Sequence, residues 1–115
     1  EALTPKDLRR SMPRFIGDDW AANAALVASF EAVAAREGVT PAQLSLAWVL
    51  SRGDHVVVIP GTARIDHLEE NIARWDWEIP AGVAAEIDAL LNPASVAGER
   101  YSPGMQKTID TEVFA

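Results

Sequence analysis

The chain has 115 residues, a net charge of −7 and no cysteine. An acidic balance without a basic stripe argues against nucleic-acid binding, and the absence of cysteine excludes disulfides and thiolate-held metal while fitting a reducing compartment. No apolar run approaches the ~20 residues of a membrane span and the opening Glu1-Ala2-Leu3-Thr4-Pro5 is no signal peptide, so no membrane partner and a cytoplasmic location are expected.

Residues 1–19 read as a loop with at most a helical turn, punctuated by Pro5, Pro13 and Gly17 and anchored by Leu8, Met12 and Phe15. Residues 20–53 read as two helices. Asp18 and Asp19 suit the start of the first, because carboxylates accept orphan N–H groups there. Leu26, Phe30 and Val33 define its buried face, and Gly38 is placed to end it in the left-handed conformation. Thr40-Pro41-Ala42-Gln43 combines a capping box with proline at the first helical position. Leu44, Ala47, Trp48 and Leu50 give the second helix its apolar face, and Gly53 stops it.

Val56-Val57-Val58-Ile59 is a run of β-branched residues, apolar on both faces, which reads as a buried parallel strand ended by Pro60 and Gly61. A helix is expected over 64–75, with Ile65, Leu68, Ile72 and Trp75 on one face. Another is expected over 80–92, with Val83, Ile87, Leu90 and Leu91 inward and Asn92-Pro93 as its stop. Residues 93–115 read as a mostly irregular tail. A lone buried strand leaves its N–H and C=O groups unpaired, which is strongly disfavoured. The partner strands are therefore expected outside this chain, and the non-Met start and loop-like opening agree with a chain that begins in mid-domain.

The segment Ile59-Pro60-Gly61-Thr62-Ala63-Arg64 carries the chemistry. A strand ends, a glycine lets the backbone turn closely, and a helix begins whose first N–H groups stabilise an anion. Thr62 offers a hydroxyl, or a cap for the helix. Arg64 offers a planar fork suited to phosphate oxygens. Arg64, His67 and Asn71 recur at helical spacing, with Glu70 at the edge of that face. A cation at the helix start, followed by a carboxylate and an amide, makes a chemically sensible adenosine binder. From spacing alone the plainer reading has the advantage: an ordinary cap and a solvated polar face.

The run from Ile59 to Asn71 closely resembles the C-terminal signature of aldo-keto reductases, an Ile-Pro-Gly-Thr segment followed by Leu-Glu-Glu-Asn on the next helix. The resemblance extends, in order, over nearly the whole chain. Asp7 to Phe15 resembles the loop after the seventh strand, Thr40 to Leu50 the helix before the last strand, Trp75-Asp76-Trp77-Glu78-Ile79 an aromatic–Asp–aromatic turn, and Val96 to Tyr101 the tail of bacterial members. It implies an α/β fold, the C-terminal portion of a (β/α)8 TIM barrel, with residues 1–115 belonging to one barrel domain. In that frame 55–62 holds the last barrel strand and the cofactor loop, 64–75 the cofactor helix and 80–92 an extra helix. The upstream part of the same barrel is then this chain's partner.

The resemblance further implies NADPH/NADP as cofactor and a small-molecule aldehyde or ketone as substrate. Gly61 and Thr62 would line the adenosine phosphate, Arg64 would contact the 2′-phosphate, and Glu70 and Asn71 would hold the adenine. His67 stands where family members often carry Arg or Gln and supplies less charge, so selectivity for NADPH over NADH rests mainly on Arg64. The family's catalytic Asp, Tyr, Lys and His lie upstream, and no residue here matches them; no catalytic residue is expected in this chain. No metal site is expected either, since no cluster of ligands has metal spacing, and no Gly-x-Ser-x-Gly elbow appears. Trp20, Trp48, Trp75 and Trp77 read as core or interface residues. Arg100 and Tyr101 either approach a substrate or pack the tail. The rival readings are a non-catalytic relative that binds cofactor as a sensor or subunit, and a free-standing helical interaction module.

Overall fold

Local signals at Gly38 and Thr40 shape the centre of the chain. The computed structural model describes residues 3–109. In it, helix α1 (Gly17–Glu37) ends where Gly38 takes φ +68° and Val39 N–H reaches back to Ala34 O at 3.1 Å. Glycine adopts this left-handed turn without a Cβ penalty. Thr40 then starts helix α2 (Pro41–Leu50) through a reciprocal capping box. Its Oγ1 accepts from Gln43 N–H at 3.2 Å, and Gln43 Oε1 accepts from Thr40 N–H at 3.0 Å. Helix α3 (Ile65–Ile72), helix α4 (Ala81–Leu90) and the single turn α5 (Pro103–Gln106) follow.

The described residues fall into two compact units. In the unit formed by residues 28–91, Val33, Ala34, Val39, Leu44, Val83 and Ile87 make the core, with Phe30, Trp48, Trp77, Ile79 and Leu91 packed against it. Leu44 and Ile87 are fully buried. Each such side chain contributes ~1.5–3 kcal/mol by leaving water. Polar links join the same elements. Arg36 pairs with Glu86 through its two terminal guanidinium nitrogens, Nη1 and Nη2. Trp48 Nε1 donates to Asp88 Oδ1 at 2.9 Å, and Arg52 grips both Asp88 oxygens while its guanidinium lies 4.1 Å over the Trp48 ring. Gln43 Nε2 donates to Glu70 O at 2.8 Å and ties α2 to α3.

In the unit formed by the described parts of residues 1–27 and 92–115, Asn23 is the organising side chain. Its Nδ2 donates to Arg14 O and Ala97 O, and its Oδ1 accepts from Ala97 N–H at 2.9 Å. Arg14 Nε donates to Gly98 O, and Gly98 has φ +78°. A Cβ there would lie 2.5 Å from Asp19 Oδ2, so a side chain at position 98 would be strained by the backbone and would displace the Asp19 carboxylate. Phe15 stacks on Trp20 with centroids 6.1 Å apart. The expected opening loop contains two short 3-10 helices, Leu8–Ser11 and Pro13–Phe15, and α1 begins at Gly17. The expected tail is described as far as residue 109, and its remainder lies outside the described residues.

Three expectations need correction. Val56–Ile59 forms no strand: among the described residues no chain runs beside it, and the backbone from Val57 to Gly61 makes no hydrogen bond. The chain is therefore helical here, and the α/β character expected of it is not expressed within these residues. Exposure still alternates along the run: Val56 and Val58 are half-buried, while Val57 and Ile59 are 83% and 93% exposed. Second, Trp75, expected in a core or interface, is exposed among the described residues, as are Ile65, Leu68 and Ile72 of the same apolar stripe. Third, Arg64 is the N-cap of α3, with extended φ −122° and ψ 136°, instead of its first helical residue, and α3 ends at Ile72 where the backbone passes into turns through Trp77.

Candidate functional site

Pro60 and Gly61 carry the chain from the extended run towards α3. Gly61 has an ordinary backbone conformation, and a Cβ built on it meets nothing within 4 Å. This chain's own packing therefore does not demand glycine there. Thr62 folds its hydroxyl onto the backbone of Arg64, accepting from its N–H and donating to its carbonyl, each at 3.2 Å. This pair of hydrogen bonds fixes the approach to the helix. It is not a side-chain cap on α3, which has none.

Gly61, Thr62, Arg64 and His67 are all exposed. Arg64 is engaged by Asp66: Nε donates to Oδ1 at 2.9 Å and Nη2 donates to Oδ2. The carboxylate beside it raises the Arg64 pKa, and the guanidinium lowers that of Asp66. Both side chains remain more than half exposed, so this is a surface pair of modest strength. Sequence reasoning passed over Asp66, although an acid two positions after Arg64 at a helix start was a signal for it.

Glu70 and Asn71 are half-buried. Glu70 is held through its backbone carbonyl by Gln43. Asn71 lines a cavity of about 240 Å³ with Gln43, Val58, Pro60, Leu68 and Trp77 among its walls. The expected polar face is thus divided. Its N-terminal part, from Gly61 to His67, is presented to solvent, and Asn71 borders an apolar cavity between α2, α3 and the extended run. A second cavity of about 380 Å³ lies along the Trp75–Ile79 turn and the end of α2.

In the other unit, Pro13, Glu99, Tyr101, Gln106 and Lys107 line a cavity of about 370 Å³. Gln106 Oε1 is buried there without a hydrogen-bond partner among the described residues. Arg100 lies 5.2 Å over the Tyr101 ring. Tyr101 is half-buried and Arg100 exposed, so this short segment has both a packed and a solvent-facing residue. No signal in the sequence pointed to the Asn23 node, whose partners lie 9 and 74 positions away. No group of three or more His, Asp or Glu among the described residues has metal-site geometry, and no described helix is long and apolar enough to cross a membrane.

A family model described as "Aldo/keto reductase family" matches residues 1–92. The chain is similar to "Aldo-keto reductase yakc [NADP(+)]" of Schizosaccharomyces pombe, with 40% identity over 98 residues, 85% of this chain and 29% of that protein. It is also similar to "Aldo-keto reductase str7" of Strobilurus tenacellus, with 32% identity over 96 residues, 84% of this chain and 29% of that protein. The chain thus spans under a third of the length of these curated relatives. No solved structure matches.

Proposed function

The chain belongs to the aldo/keto reductase family, and on that premise we propose that it is the C-terminal part of an NADPH-dependent carbonyl reductase, supplying the site for the adenosine 2′-phosphate. One observation carries the reading. An extended apolar run with an unpaired backbone and two bare side chains, Val57 and Ile59, leads directly into an exposed Gly-Thr-x-Arg turn at the start of α3. In the intact protein this run is the last strand of a (β/α)8 barrel. Its free N–H and C=O groups pair with neighbouring strands, and its bare side chains fill the interior. The carboxyl end of a barrel strand is where such folds place their sites.

The residues present fit the adenosine end of NADPH. Arg64 offers a fork to phosphate oxygens. Gly61 leaves room for close backbone approach, a role consistent with a position where a Cβ meets nothing in this chain. Thr62 has its hydroxyl at the same turn and can redirect it from Arg64 to a phosphate. Glu70 and Asn71 hold the adenine, with the Asn71 amide at the edge of the apolar cavity. His67 adds a hydrogen bond at the solvent side. When bound, the cofactor supplies a hydride to the carbonyl carbon of an aldehyde or ketone. The residues handling the proton lie outside this chain, whose own part is to bind and orient.

The name of the fission-yeast relative, which specifies NADP(+), supports this choice of cofactor. The test is made on the intact protein by titration with each cofactor. Arg64→Ala is expected to weaken NADPH roughly ten- to hundredfold, the range for hydrogen bonds to a charged group, and to leave NADH nearly unchanged. Equal loss for both cofactors removes Arg64 from the 2′-phosphate.

A further inference from the structure

Arg64 does not stand free. Its Nε and Nη2 grip the two oxygens of Asp66, only two residues away. That contact holds the Asp66 carboxyl below its ordinary pKa. The carboxyl also sits in the first turn of α3, where the helix end carries partial positive charge. One internal carboxylate therefore takes up the guanidinium fork and stands at the positive end of the helix, two of the features this turn offers to an anion. We propose that Asp66 is an internal competitor for the anion at Arg64, and so sets how strongly the site prefers a 2′-phosphorylated adenosine to an unphosphorylated one. The inference rests on the reading of Arg64 as the 2′-phosphate ligand.

The competition has a definite sign. A phosphate arriving at Arg64 must displace the carboxylate or share the fork with it. A carboxylate left nearby repels the phosphate charge. An unphosphorylated ribose needs neither exchange, so the penalty falls on the phosphorylated ligand alone. Its size is bounded by the exposure of the pair, because exposed ion pairs are weak and are screened by salt. The opposite role for Asp66 is also chemically defined. If the carboxylate served to hold the guanidinium in place for the phosphate, removing it would weaken the phosphorylated ligand.

The experiment is a calorimetric titration of the intact protein with adenosine 2′,5′-bisphosphate, NADPH and NADH. Asp66→Asn keeps the size of the side chain and removes its charge. It is expected to tighten adenosine 2′,5′-bisphosphate and NADPH by roughly two- to tenfold at low salt, the scale of an exposed ion pair, and to leave NADH unchanged. Asp66→Ser is expected to give the same gain. In an Arg64→Ala background the gain is expected to disappear. Unchanged or weakened binding in Asp66→Asn, with a selective NADPH loss in Arg64→Ala, overturns this inference and leaves the cofactor reading intact. Equal loss of NADPH and NADH in Arg64→Ala overturns the cofactor reading and this inference with it.

Discussion

Ile59 provides a sharp test, because its surroundings here and in the proposed barrel differ so much. It is 93% exposed in this chain. If it stayed so in the intact protein, Ile59→Ala would shift stability by no more than about 0.5 kcal/mol, as surface substitutions do. If Val56–Ile59 is the last barrel strand, Ile59 points into a packed interior. Truncation then removes three buried carbons at about 0.8 kcal/mol each, or about 2.4 kcal/mol of transfer energy. The cavity left behind brings the expected loss to about 2–5 kcal/mol. The assay is denaturant unfolding of the intact wild-type and variant proteins, compared at equal m-value so that the midpoint shift reports stability. A loss below about 0.5 kcal/mol would refute burial of this face.

Two further predictions concern contacts within the units. Asn23→Ala deletes the hydrogen bonds to Arg14 O, Ala97 O and Ala97 N–H; at ~1 kcal/mol per bond it should destabilise the intact protein by ~1–3 kcal/mol, read by thermal unfolding. The Asp88 carboxyl is held below its ordinary value, first by its hydrogen bonds to Arg52 and then by the Trp48 indole N–H. A depressed carboxylate stabilises the fold above its unfolded pKa, and that contribution is lost as pH falls through the lower folded value. The Trp48 indole N–H resonance should therefore titrate with a midpoint below ~3.9; a midpoint at the ordinary Asp value would contradict the contact.

Local structure was legible where its cause is local. The Thr40–Gln43 box and the left-handed Gly38 need only adjacent residues, and both stand as the sequence implies. The Gly61–Arg64 turn was equally legible as a motif, but the rotamer of Arg64 was not, because it is decided by Asp66 rather than by helical spacing. The β-branched run announced extended chain buried on both faces, and here Val57 and Ile59 are bare. A ladder there needs partner strands, and the described residues contain none. The stripe on α3 teaches the same lesson: periodicity identifies a face suited to burial without saying what covers it. Asn23 was invisible because an asparagine inside a helical run carries no mark of a partner 74 positions away.

Amide hydrogen exchange on the intact protein, with and without NADPH, tests the central claim most directly. Slow exchange is expected at Val57, Val58 and Ile59 in both states, because a barrel ladder holds their N–H groups, and the turn from Gly61 to His67 should respond to the cofactor. Added protection of that turn is expected with NADPH and less with NADH. Fast exchange at Val57–Ile59 in the intact protein, or identical protection of the turn by both cofactors, would contradict the claim.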